Sequence, residues 1–278
     1  MSGTAPIASG ASLAAALGAS DAATRTAALS ALAERVRADG AIVIDDAIAR
    51  ALLVPLGSAS RTEQRHAADL VAPLVTDAPA LLAALRDALV APAARLRWGA
   101  AYTLGRALPP TRELWPSALE TMRLDDGDQR WAAAELACAI ARRDPGVATE
   151  IRAALGEPSP TLRKMLLYCL RDLRDAHAAE AALDRVADLD AGVRLAALAV
   201  LTAVTAPETE GARAAERVAG VLASDSEPGV CRAAAVALGK LGVGTQPVLD
   251  ALHAAVRSSD ASLARAASGA LRALGLPG

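Results

Sequence analysis

Aromatic residues are scarce in this 278-residue chain, with three Trp, two Tyr and no Phe. Runs of β-branched and aromatic residues with a period of two are missing, so a β-sheet is not expected. Charge of one sign is not in excess either: 29 Lys and Arg face 31 Asp and Glu, for a net −2. A non-specific nucleic-acid binder carries a basic surplus, so nucleic acid is not an expected partner. No uncharged apolar stretch approaches the length of about 20 residues that crosses a bilayer, so no membrane partner is expected. Residues 1–20 hold no Lys or Arg, so the basic start of a secretory signal is missing and the expected location is cytoplasmic. The three His, His66, His177 and His253, lie far apart, and there is no Cys-x-x-Cys or His-Glu dyad. Neither a metal nor a cofactor is therefore expected. Cys138, Cys169 and Cys231 read as small buried hydrophobes. The Gly-rich run 239–244 follows no strand and reads as a helix stop, not a phosphate loop.

What the chain does have is alanine, the best helix former, and a repeat. A signature of the form V-R-x-x-A-A-x-A-L-G recurs eight times, clearest at 94–108, 192–204 and 229–242. Its Arg slot falls at Arg25, Gln64, Arg97, Arg130, Arg163, Arg194, Cys231 and Ala264, at intervals of 31 to 39 residues. Such a period marks stacked units, each burying its apolar face against its neighbours. Each unit reads as a signature helix and a partner helix, the partners being clear at 77–90, 110–122 and 245–258. Four residues before the slot stand Asp21, Ser60, Asp126, Ser159, Asp190, Glu227 and Asp260, most of them good N-caps. Pro160 and Pro228 suit the first helical position. The Leu-Gly pairs at 104–105, 238–239, 241–242 and 274–275 are expected in last turns and stops. Residues 1–19 are expected to be a disordered lead followed by a short capping helix at 11–18, and 20–278 the repeat array. The wide intervals place insertions near 36–60 and 205–225, and the array ends on a signature helix at 262–274.

The signature resembles the HEAT repeat, in the short HEAT-like class also found in phycobilisome lyases, over residues 20–275. The resemblance implies an all-α fold, a right-handed α-solenoid of about eight stacked two-helix repeats. It implies that Arg25, Arg97, Arg130, Arg163 and Arg194 form a structural ladder of hydrogen bonds to acids or carbonyls of adjacent repeats. It also implies that positions +1, +2 and +5 from the slot point into a concave face.

Those positions carry Arg65, His66 and Asp69 in the second unit and Trp98 and Tyr102 in the third. They carry Trp131 and Glu135 in the fourth, then Lys164, Met165 and Tyr168 in the fifth. Beyond these the stripe fades to Leu195, Ala199, Arg232, Val236, Arg265 and Gly269. Both Tyr and two of the three Trp thus share two columns of three consecutive units, and Trp and Tyr dominate binding hot spots. The surrounding segment 92–174 is the one basic stretch, with 13 basic and 10 acidic residues. Trp115, on a partner helix, reads as packing. These features predict a non-enzymatic scaffold for a protein or peptide, with Trp98, Tyr102, Trp131 and Tyr168 as anchors. Arg65, Arg95, Glu135 and Lys164 would set polarity and register. His66 and Asp69 are spaced to pair on one helix face, but no nucleophile accompanies them, so no catalytic residue is assigned. Two alternatives are an enzyme resembling HEAT-like DNA glycosylases or bilin lyases, and a docking subunit using Leu263, Leu271 and Leu274 at its open end.

Overall fold

The computed structural model describes residues 10–39, 43–205 and 211–277. Among these residues there is no strand. The chain divides into two compact units, 1–144 and 145–278. The first holds α1 (Gly10–Leu17), α2 (Ala22–Asp39), α3 (Asp46–Leu56), α4 (Arg61–Val71), α5 (Pro79–Ala88), α6 (Ala94–Ala107), α7 (Trp115–Thr121) and α8 (Gly127–Arg143). The second holds α9 (Pro145–Ala153), α10 (Pro160–Leu173), α11 (Ala178–Arg185), α12 (Ala191–Val204), α13 (Gly211–Ser224), α14 (Pro228–Leu241), α15 (Gln246–Val256) and α16 (Ala261–Ala273). No helix among the described residues is long and apolar enough to cross a membrane.

Within each unit the helices stack in two layers. The signature helices pack in order, α2, α4, α6 and α8 in the first unit and α10, α12, α14 and α16 in the second. Partner helices form the other layer, with α1 on α3 and α3 on α5, then α11 on α13 and α13 on α15. The buried face of each signature helix is the one the repeat predicts. In α12 it is Val193, Ala197, Val200 and Leu201, and in α14 Val230, Ala234, Ala237 and Leu238, all nearly inaccessible. Leucine supplies the bulk of this core, while alanine and glycine set how closely the helices approach. A Cβ on Gly99 would stand 2.1 Å from the Leu56 carbonyl oxygen, and one on Gly239 would stand 2.9 Å from the Ala270 Cα. Gly105 and Gly239 lie in the last turns of α6 and α14, as expected, and are also contact points, a Cβ on Gly105 standing 2.6 Å from Leu136 Cδ1. The stop glycines are Gly242 and Gly275, with φ of +70° and +78°.

Six predicted caps close their helices. Asp21, Ser60, Asp126, Ser159, Asp190 and Asp260 each accept a first-turn N–H, at 2.8 to 3.3 Å. Glu227 makes no side-chain cap, and Pro228 at the first position carries that start instead. Part of the extra length of the first interval goes into α2, which runs 18 residues. Of the insertion expected near 36–60, residues 40–42 lie outside the described residues and α3 takes up much of the rest. Of the one expected near 205–225, residues 206–210 lie outside them and α13 takes up the rest. The lead at 1–9 also lies outside them.

The Arg slots hold the turns between helices. Arg25 donates to the carbonyls of Ala19 and Ser20 at 2.8 Å and grips Glu63 with two hydrogen bonds. Arg97 does the same with Ala91, Pro92 and Glu120, and Arg163 with Glu157, Pro158 and Asp188. Arg194 takes Asp188, Leu189 and Asp225. The carbonyls lie five and six residues back in every case, so one planar fork clamps the preceding turn and a following acid together. The departures from the pattern keep part of it. Cys231 Sγ reaches the Asp225 carbonyl, six residues back, at 3.2 Å. Gln64 Nε2 bridges the carbonyls of Leu56 and Arg95 at 2.7 and 3.1 Å. Arg130 donates to the Leu124 carbonyl at 2.7 Å, and its Nε is buried without a partner among the described residues.

Candidate functional site

Signature helices α4, α6 and α8 bring most of the sequence-predicted patch together inside the first unit. Positions +1 and +5 of a helix fall one turn apart on one stripe, so adjacent helices line those stripes up side by side. Two adjoining open cavities of about 410 and 500 Å³ lie along them. Arg65, His66, Asp69, Trp98 and Tyr102 line the first. Arg65, Tyr102, Trp131 and Glu135 line the second, and Arg65, Tyr102, Asp128 and Ala132 are common to both.

The two tryptophans differ. Trp98 is 5% exposed and forms part of the floor, whereas Trp131 is 46% exposed on the rim. Trp98 and Tyr102 meet at 5.4 Å between ring centroids with a 37° tilt, and the Arg106 guanidinium stands 5.5 Å above the Tyr102 ring. That stack of ring, ring and cation fixes Tyr102 in orientation.

The charges around the cavities are partly paired. Asp69 Oδ1 sits 2.9 Å from Arg106 Nη2 of the next signature helix. Among the described residues no hydrogen bond joins Asp69 to His66, so the pair that the spacing allows does not form. Arg61, at the start of α4, reaches past α6 to Asp126 at 2.9 Å and Asp128 at 3.1 Å, at the start of α8. Arg61 and Asp128 both line the first cavity. Arg65, His66 and Glu135 are exposed, and none has an ion-pair partner among the described residues. Arg95 is exposed outside both cavities, and its carbonyl receives Gln64.

Lys164 and Tyr168 hold the same repeat positions on α10, in the second unit. Both are half-buried, and the Arg171 guanidinium stands 5.0 Å over the Tyr168 ring. Met165 is buried in the core at 1% exposure. The positions +1 and +5 of α12 and α14 present aliphatic Leu195 and Val236, 38% and 46% exposed. Trp115 is buried at 5%. Cys138, Cys169 and Cys231 are buried thiols, and burial pushes the Cys231 thiol up from its ordinary value. Among the described residues no three His, Cys, Asp or Glu side chains gather as metal ligands do.

Sequence reasoning missed Arg61, Arg106 and Asp128 as site residues. Arg106 stands at +9 of its own stripe, where the four-residue spacing points to it. Arg61 and Asp128 are 67 residues apart in two different repeats, and no spacing rule links them.

Helix pairs stacked in two layers and recurring every 31 to 39 residues, with Arg forks at four of the slots, define an α-solenoid of the HEAT-repeat kind. Solved structures share that fold. The karyopherin Kap121p, bound to the extreme C-terminus of the protein phosphatase Cdc14p, aligns with a TM-score of 0.61 at 15% identity, over 95% of this chain and 33% of its own. Importin β aligns with a TM-score of 0.58 at 14% identity, over 95% of this chain and 40% of its own. YibA of E. coli aligns with a TM-score of 0.54 at 17% identity, over 96% of this chain and 92% of its own. The chain thus spans about a third of the length of Kap121p. No family model matches the chain, and no curated protein matches it in sequence.

Proposed function

We propose that this chain is a non-enzymatic scaffold that holds a protein or peptide segment against α4, α6 and α8. The observation that carries the reading is the open groove in which Tyr102, Trp131, Arg65 and Glu135 converge from three successive repeats. A half-exposed Trp beside a fixed Tyr offers a large apolar anchor, and exposed charges of both signs around it favour register over bulk adhesion. The HEAT-repeat neighbours include a karyopherin bound to a protein segment, which is consistent with this use of the fold. Lys164 and Tyr168 extend the proposal to α10 as a separate set of contacts.

The test is a pull-down from native lysate with the wild type and with a Tyr102→Ala/Trp131→Ala variant of unchanged helical content. Trp98 is left intact because it is buried. Partners retained by the wild type and lost by the variant support the groove. Partners retained equally by both move the binding surface elsewhere. For a purified partner, Trp131→Ala is expected to weaken binding about 30-fold, the equivalent of ~2 kcal/mol.

A further inference from the structure

We infer that the segment held by this groove presents a carboxylate to Arg65 and lays an adjacent apolar side chain on Tyr102 and Trp131. The inference rests on the binding role proposed above and adds the chemistry of the ligand. Its basis is which charges in the groove are already spent. Asp69 is held by Arg106 at 2.9 Å, and Asp128 by Arg61 at 3.1 Å. Neither acid forms an ion pair with Arg65. That residue lines both cavities, is exposed, and makes no ion pair among the described residues. His66 lies next to it in the first cavity, also exposed and unpaired. A guanidinium with five donors and no acceptor is the side chain best matched to a carboxylate, which it grips with two parallel hydrogen bonds.

The aromatic surface shares that junction. Tyr102 also lines both cavities, and Trp131 lines the second with Glu135. A ligand that satisfies Arg65 on α4 therefore has Tyr102 of α6 within the same pocket, and one that reaches α8 meets Trp131 together with an unpaired anion, Glu135. The order of chemistry along the groove is cation, aromatic, anion. An extended peptide carrying an acid, an apolar residue and then a base matches it. A uniformly basic segment is repelled at Arg65 and a uniformly acidic one at Glu135, so the arrangement selects against both.

The carboxylate has two sources, an Asp or Glu side chain or the free end of a chain. A random dodecapeptide library is panned on the 278-residue chain, with counter-selection on the Tyr102→Ala/Trp131→Ala variant. Enriched sequences are synthesised with free and with amidated C-termini, and titrated against tryptophan emission, which Trp131 reports. Enrichment of an Asp or Glu next to an apolar residue is expected. Changing that acid to its amide should weaken binding at least tenfold. On the Arg65→Glu variant the library should instead return Lys or Arg at that position. Arg65 has no ion pair to lose, so this variant is expected to keep wild-type helical content. Loss of binding only on terminal amidation assigns the carboxylate to a chain end, and tolerance of amidation assigns it to a side chain. Enriched peptides that need the aromatics but depend on neither an acidic side chain nor a free C-terminus, or an unchanged selection by Arg65→Glu, overturn this inference and leave the groove standing. No peptide distinguished by the counter-selection overturns the groove reading and this one together.

Discussion

Trp98 and Trp131 occupy the same repeat position on consecutive signature helices and have opposite surroundings. At 5% exposure, Trp98 belongs to the buried core, so Trp98→Ala is expected to cost roughly 3–5 kcal/mol of unfolding free energy. Trp131, 46% exposed, gives up little packing, and Trp131→Ala is expected to stay within about 1 kcal/mol of wild type. Urea unfolding of the two variants checks this, and equal losses would mean that the rim Trp is part of the core. The columns that held both residues were legible in the sequence. Their burial was not, because it depends on how the neighbouring helices meet: Gln64 of α4 ties the Leu56 carbonyl of α3 to the Arg95 carbonyl at the start of α6, a link that no column of the repeat records. The Arg slots show the same limit. The repeat located Arg163 and Arg130, but not the partners of each. Arg163 covers Asp188, whose carboxylate is only 4% exposed, and Arg163→Ala strands that buried charge at an expected cost of about 3–5 kcal/mol. Arg130→Ala removes one carbonyl bond and is expected to cost about 1 kcal/mol.

At the scale of the helix, starts were more legible than glycines. A cap is a local event between a side chain and an N–H two or three residues on, so Asp, Ser and Pro before the signature marked six caps and two proline starts correctly. A glycine's role is set by what lies against it, which no local pattern records. Gly99 and Gly220 both sit inside helices and both read as mild weaknesses from propensity alone. The structure separates them. A Cβ at Gly99 collides with the Leu56 carbonyl, 2.1 Å from its oxygen and 2.8 Å from its carbon, and both are backbone atoms that move only with α3. A Cβ at Gly220 meets nothing within 4 Å. Gly99→Ala is therefore expected to destabilise by several kcal/mol, on the order of 3, through displacement of α3 from α6. Gly220→Ala is expected to stabilise by about 0.5–1 kcal/mol through helix propensity and a less flexible unfolded chain. Thermal melts of the pair give opposite shifts on this account. A stabilising Gly99→Ala would show that the α3–α6 contact is looser than its geometry.

Across the whole molecule the repeated Arg forks set the response to acid. The net charge is −2 with a pI near 6.0, so general repulsion is small at neutral pH. The acids beneath the forks are the groups to consider. Hydrogen bonds from Arg25, acting against burial, hold the Glu63 carboxyl below its ordinary value. Burial pushes Asp188 and Asp225 upward, but hydrogen bonds from Arg163 and Arg194 and from backbone N–H groups outweigh it and leave both lowered. In the unfolded chain these carboxyls protonate near the usual value of about 4. Folded, they stay ionised to lower pH. Between the two values the unfolded state binds more protons, so stability falls as pH falls through that window. Stability is thus expected to be flat from about pH 8 to 5 and to decline steeply from about pH 4 downward. Asp225→Asn isolates one rung. It removes the ion pair with Arg194 and is expected to lower the urea midpoint at pH 7. It also removes the titrating group, so its midpoint should fall less steeply between pH 5 and 3 than that of the wild type. The two curves then converge in acid, where the wild-type carboxyl is itself neutral. Parallel curves across the whole range would mean that the Asp225 proton is not linked to folding, and that the fork stabilises through geometry alone.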